Sequence, residues 1–158
     1  MNQVETSSGD SFLKLHLEPH TPAIIAMEQV QEVLIIPARR ITPMPNMTEC
    51  VIGLLNRRNR VLWVIDLAQL LGLQPLPTNT QQYNVVIIQA KQISLGLLVQ
   101  EVKGVTHFAH QLIQPPTELV TSALIPYLSG CIFQSEEVLL VLNAEAIVLS
   151  PTLYKNKL

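Results

Sequence analysis

The densest chemistry in the sequence is the run Asn56-Arg57-Arg58-Asn59-Arg60. A guanidinium is a planar fork of donors that stays charged and matches a carboxylate or phosphate. Arginine is also enriched among the residues that dominate binding energy at interfaces. Charged residues make up only 14% of this chain, against roughly 25% in an average domain. Three arginines at one tip therefore exceed what solubility asks for. The bland alternative is a local ion pair, with Glu32 or Glu49 as the acid.

Glu32 lies in Val30-Gln31-Glu32-Val33. Strict alternation puts Val30 and Glu32 on one face of a strand, and Gln31 and Val33 on the other. A charged side chain sharing a face with an apolar one is common at the rim of an interface. Val30, Glu32, Asn56, Arg57, Arg58 and Arg60 are accordingly the candidate partner-binding residues.

Other chemistry is thin. His107 and His110 are three apart, but their surroundings are not helical and no third ligand lies near, whereas zinc takes three or four. Glu136 and Glu137 fall in an expected hairpin turn, where solvated charge is the natural reading rather than an acid–base pair. The nucleophile-elbow, phosphate-loop and dinucleotide patterns are absent from the sequence. Cys50 and Cys131 sit among apolar residues without CxxC spacing, and read as buried or half-buried thiols of a reducing compartment. No catalytic residue, cofactor or metal is expected. The chain reads as a protein-interaction module and not as an enzyme.

The elements that must position these residues are about ten short strands, the pattern of barrels or sandwiches. From Phe12, Leu13, Leu15 and Leu17 share one face and Lys14 and His16 the other. Further strands are expected over 23–27 and 30–36. Ile41-Thr42-Pro43-Met44-Pro45 is too rich in proline for a helix or central strand and reads as an extended connector. Strands 51–55 and 60–65 form the clearest hairpin, with its turn at 56–59. Asp66 then caps a short helix that Gly72 ends. Residues 74–82 read as a linker toward a second lobe. Strands follow over 83–89 and 93–99, with extended chain over 101–108. A second proline connector is Ile113-Gln114-Pro115-Pro116. A last hairpin spans 127–133 and 138–142, and Asn143 caps a helix stopped by Pro151. The halves rhyme, which favours two small barrels over one sandwich. Residues 1–11 and 151–158 read as tails. The net charge of -2 speaks against nucleic acid. The first ten residues are polar, and no apolar run approaches the roughly 20 residues a membrane span needs. A cytoplasmic protein without membrane insertion is expected.

In order and spacing these motifs resemble the CheW-like family, the adaptors of bacterial chemosensory arrays, from Phe12 to Leu149. The family's Val-x-Glu-Val strand is Val30 to Val33, and its Ile-Thr-Pro-x-Pro connector is Ile41 to Pro45. Its signature hairpin is Gly53-Leu54-Leu55-Asn56-Arg57-Arg58-Asn59, followed by an apolar strand ending in Asp66-Leu67. Gly96-Leu97-Leu98-Val99, Ile113 to Pro116 and Tyr127-Leu128-Ser129-Gly130 match the second half. Asn59 replaces the usual glycine, Trp63 a frequent proline and Gln100 a frequent aspartate. The resemblance implies an all-β fold over 12–150: two small five-stranded SH3-like barrels sharing a core, with short helices. It implies a non-catalytic scaffold that bridges the cytoplasmic tip of a chemoreceptor to the regulatory domain of a CheA-type histidine kinase, and it allows weak self-association in arrays. Val30 and Glu32 would lie on a partner-binding strand, and Arg58 matches the family's hairpin arginine. Arg57 is not a signature residue of the family and stands on its charge alone. Flagellar and pilus outputs fit the motifs equally. The alternative for so apolar a chain is a small-molecule-sensing regulatory β-barrel without receptor coupling.

Overall fold

Leu13, Leu15 and Leu17 are buried while Lys14 and His16 between them are half-exposed, so the period of two marks a true strand face. The computed structural model describes residues 9–77, 79–118, 120–134 and 136–155. Its strands are β1 (Asp10–Glu18), β2 (Thr21–Ala26), β3 (Val30–Pro37), β4 (Ile41–Pro43), β5 (Val51–Arg57), β6 (Arg60–Asp66), β7 (Gln82–Ala90), β8 (Ile93–Val99), β9 (Glu101–Phe108), β10 (Leu128–Gln134) and β11 (Glu137–Leu142). Two short helices, α1 (Leu67–Leu70) and α2 (Ala144–Val148), each follow a hairpin. Asp66 Oδ1 accepts the Gln69 N–H at 3.3 Å and Asn143 Oδ1 that of Ala146 at 3.1 Å, so both expected caps are made.

The strands form two sheets, ordered β10-β11-β2-β1-β9 and β3-β7-β8-β6-β5-β4. Read from β9 and from β3, the two sheets have one design. An edge strand pairs with an antiparallel hairpin, β1–β2 or β7–β8. The far strand of that hairpin runs parallel to the second strand of another hairpin, β11 or β6. Its first strand, β10 or β5, then meets a proline connector. In the second sheet that connector pairs as β4, a three-residue edge strand where proline is tolerated. In the first it makes one bridge, Gln114 to Cys131. The connectors come so close that a Cβ on Gly53 would lie 2.1 Å from the Thr42 carbonyl oxygen, and one on Gly130 2.5 Å from that of Gln114.

The rhyme of the halves is therefore real, but the sheets are not the halves. Residues 74–82 do not lead to a second lobe, because β7 and β8 return to the sheet of β3–β6. A parallel β6–β8 pair needs a long crossover, and α1 with this linker supplies part of it. The passage falls instead at Gln100, the single residue between β8 and β9. Its N–H donates to the His16 carbonyl at 3.1 Å, and its own carbonyl accepts from Asn84 Nδ2 at 3.2 Å.

Alternate residues of one strand serve different cores. Val85 and Ile87 join Leu55, Leu62 and Val64 inside the second barrel. Phe12, Ile24, Ile132 and Leu139 fill the first. Leu15, Ile25, Val86, Ile88 and Leu97 meet between the barrels, with Leu67 and Ile147 brought in on α1 and α2. Burial on both faces is why 85–88 and 95–99 are nearly continuous apolar runs. The core also corrects two boundaries. β1 begins at Asp10, ahead of the expected 12, and Pro151–Tyr154 forms a 3-10 turn whose Leu153 is buried in the shared core. The rest of the expected N-terminal tail, residues 1–8, lies outside the described residues. No helix among the described residues is long and apolar enough to cross a membrane.

Candidate protein-docking surface

The β5–β6 register pairs Leu55 with Leu62, Asn56 with Val61 and Arg57 with Arg60. Only Arg58 and Asn59 remain for the turn, which is tighter than the expected 56–59. Both are left-handed, with φ of 54° and 64°, the pattern of a type I′ hairpin turn in which glycine and asparagine are favoured. Residues directly opposite share a face. Arg57 and Arg60 thus continue the inward face of Leu55 and Leu62, while Asn56 and Val61 point outward.

On the inward side Arg57 meets Glu32 with a two-pronged fork. Nε donates to Oε1 at 3.1 Å, and Nη2 donates to Oε2. Arg58 reaches the same Oε2 from Nη2 at 3.4 Å. Side-chain exposure is 23% for Glu32, 31% for Arg57 and 74% for Arg58. The Arg57 hydrogen bonds, helped by the charges of Arg57 and Arg58, hold the Glu32 carboxyl below the usual carboxylate range. The same carboxylate raises Arg57 further. Arg60 takes another route. Its Nη2 donates to Ser94 Oγ at 2.9 Å, Ser94 Oγ donates to Gln31 Oε1 at 3.2 Å, and Gln31 Nε2 donates to Gln89 Oε1 at 2.9 Å. Gln31, Glu32 and the three arginines surround a cleft of about 280 Å³ with Leu62 and Ile87 in its wall.

The expectation that Val30 and Glu32 share a face is corrected. Val30 pairs with Ile88 and Glu32 with Ile87, so Gln31 is an extra residue in a β-bulge. One inserted residue inverts the alternation. Val30 packs on the core between the barrels, and Glu32 opens into the cleft over the second barrel. Of the six candidate residues, Glu32, Arg57, Arg58 and Arg60 converge; Val30 and Asn56 lie elsewhere. Gln31 and Ser94, which orient Arg60, carried no role in the sequence reading. Nothing in the pattern around Ser94 marks it, and strict alternation places Gln31 on the face away from Glu32, which the bulge reverses. The local ion pair weighed as the bland alternative accounts for Arg57; Arg58 remains largely free in solvent.

Among the described residues no other group assembles comparable chemistry. His16 Nδ1 is 3.9 Å from Glu101 and His110 Nδ1 is 4.0 Å from Asp10. Among the described residues no three His, Cys, Asp or Glu side chains come together as a metal site. Cys50 and Cys131 are buried free thiols. Burial pushes Cys50 up to about 11 and raises Cys131. A separate apolar groove of about 270 Å³ is lined by Met47, Trp63, Ile93, Leu153 and Tyr154 among others. Trp63 and Tyr154 are 39% and 63% exposed there.

Two like barrels around one core, carrying a basic hairpin at a polar cleft, define a β-barrel scaffold module. Residues 11–151 match the CheW-like domain family. The chain is 32% identical over 124 residues to the protein PilI of Pseudomonas aeruginosa, covering 78% of this chain and 67% of that one. It is 27% identical over 106 residues to a probable chemotaxis protein CheW of Rhizobium etli, covering 67% and 68%. In fold it is similar to the scaffolding protein TtCheW of Thermoanaerobacter tengcongensis, with a TM-score of 0.74 at 21% identity over 85% of this chain and 89% of that one. The chain belongs to the CheW-like family, a family of non-catalytic scaffolds of chemosensory systems. The two SH3-like barrels with short helices expected from the resemblance are the fold it has, although the second sheet has six strands rather than five because the connector Ile41–Pro43 pairs as β4.

Proposed function

We propose that the protein is an adaptor that couples chemoreceptors to a CheA-type histidine kinase, holding both in fixed geometry without catalysis. The observation that carries this reading is the family match over residues 11–151, on a chain whose hairpin arginine Arg58 stands exposed at the tip of the second barrel. The likeness to PilI favours a pilus-driven output over a flagellar one. The test is co-sedimentation of the full chain with the regulatory domain of a CheA-type kinase and a receptor cytoplasmic fragment. Arg58→Glu is expected to abolish assembly and leave the circular dichroism spectrum intact. Undiminished assembly would remove the hairpin from the mechanism, and no assembly by the unaltered chain would overturn the reading.

A second reading, a small-molecule-sensing barrel, rests on the groove beside Trp63. At about 270 Å³ it falls just under the roughly 300 Å³ at which ligand pockets begin, which ranks this reading below the first. A saturable thermal shift with a defined metabolite, lost in Trp63→Ala, would favour it.

A further inference from the structure

We propose that Arg58 and Arg60 form a notch for a carboxylate from an acidic segment of the docking partner, and that Arg57 keeps this notch open by occupying Glu32. The partner's identity rests on the adaptor reading; the chemistry of the notch does not.

Glu32 is the first reason. A carboxylate within reach of an arginine ordinarily neutralises it, and Glu32 lies within reach of two. Arg57 makes the two-pronged contact, one nitrogen to each oxygen. Arg58 is left with a single 3.4 Å contact, near the limit of a hydrogen bond. Its other donors face solvent, since the side chain is 74% exposed. Arg57 can do this because it lies on the strand, facing inward beside Arg60. Arg58 occupies the left-handed turn.

Arg60 is the second reason. Its guanidinium is oriented by Ser94, which is held in turn by Gln31. Both are neutral, so Arg60 is positioned without its charge being cancelled. Three guanidinium charges and one carboxylate line the cleft, an excess of two positive charges. Leu62 and Ile87 give it an apolar wall against which the methylene stem of an acidic side chain can lie.

The size and charge of the cleft favour one carboxylate over a polyanion. About 280 Å³ suits one side chain. Glu32 at its edge repels a row of phosphates, and the chain as a whole carries a net charge of -2.

The test follows the arginine Nε–Hε resonances of the full chain by NMR, with capped tetraglutamate as probe and tetralysine as control. Arg58 and Arg60 are expected to shift saturably with tetraglutamate only, while Arg57 stays. Arg57→Leu is expected to abolish the Arg58 response, because Glu32 then turns to Arg58. Adding Glu32→Gln to that variant is expected to restore it. Backbone amide spectra check that each variant is folded. An Arg58 signal unmoved by tetraglutamate overturns the proposal. So does a response indifferent to Arg57→Leu, or a folded double variant without recovery.

A second arm measures binding to the kinase regulatory domain and the receptor fragment. Arg58→Gln is expected to weaken one of them about tenfold, with Arg58→Lys keeping part of the affinity. Partners that bind regardless of Arg58→Gln, with a silent peptide titration, overturn the notch and leave the adaptor reading standing. A notch that takes tetraglutamate as expected on a chain that binds neither partner overturns the adaptor reading and leaves the notch.

Discussion

The buried carboxylate of Asp66 accepts the backbone N–H of Leu76 on Oδ2 at 2.9 Å, while its Oδ1 caps α1. One side chain thus ties the end of β6, the helix after it and the linker that brings the chain back to β7. Asp66→Ala leaves two amides without their acceptor and is expected to cost about 2–3 kcal/mol. Asp66→Asn keeps one oxygen and should cost less. Urea denaturation checks both. A loss under about 0.5 kcal/mol for the alanine variant would show that water serves these amides equally well.

Gly53 is required by closeness rather than by backbone conformation. Its Cβ would overlap the Thr42 carbonyl at 2.1 Å, so Gly53→Ala must push β4 off the barrel. A loss of about 3 kcal/mol or more is expected. Gly104 is the contrast, with a φ of 118° and nothing within 4 Å of an added Cβ. Gly104→Ala should show only the smaller cost of its backbone angle, about 1–2 kcal/mol. Equal losses by thermal or chemical unfolding would contradict this division.

Asn59 holds a left-handed position where the family favours glycine. Asparagine tolerates that region and glycine enters it freely, so Asn59→Gly should change stability by no more than about 1 kcal/mol. Asn59→Val, a β-branched residue at positive φ, should lose about 1–2 kcal/mol. A valine variant as stable as the unaltered protein would mean that the turn can rearrange.

Glu32 gives the acid limb of stability a definite sign. Its folded value is depressed, first by the Arg57 hydrogen bonds. The contribution is present above the ordinary carboxylate value and is lost as pH falls through the depressed one. The unaltered protein should therefore exceed Glu32→Gln in Tm near neutrality, and the gap should narrow below about pH 4. A gap of constant size down to pH 2.5 would assign the difference to shape rather than charge.

Cys50 sets the alkaline limb. Its folded value is pushed up to about 11, chiefly by burial. An unfolded thiol ionises near roughly 8.5, so stability should fall as pH rises from there toward the folded value. Cys50→Ala should flatten that slope. The folded protein should also resist alkylation at pH 8, while denaturant exposes both thiols. Rapid labelling without denaturant would show that the site opens.

The parts of the fold legible in the sequence were those set by near neighbours. Alternation around Leu13, Leu15 and Leu17 located a strand. Asp66 and Asn143 located helix starts, and the proline runs marked extended connectors. The exchange of hairpins between sheets was not legible. It depends on the parallel pairings β2–β11 and β6–β8, which join segments far apart in the chain. At the docking surface, the Arg57–Glu32 ion pair was foreseeable as the plain use of an arginine. The bulge at Gln31 was not, because a single extra residue reverses every inference from alternation and leaves no trace in composition.

The first barrel takes β1 and β2 from one end of the chain and β9 to β11 from the other, whereas the second is built from residues 30–99 without interruption. On a ribosome these two have different histories. The second barrel can close once Val99 has emerged, whereas the leading hairpin gains β9 by Phe108 and cannot complete its own barrel until Leu142 follows. Through that interval Leu13, Leu15, Leu17 and Ile25 can rest only on the finished barrel, which becomes the template on which its twin is assembled.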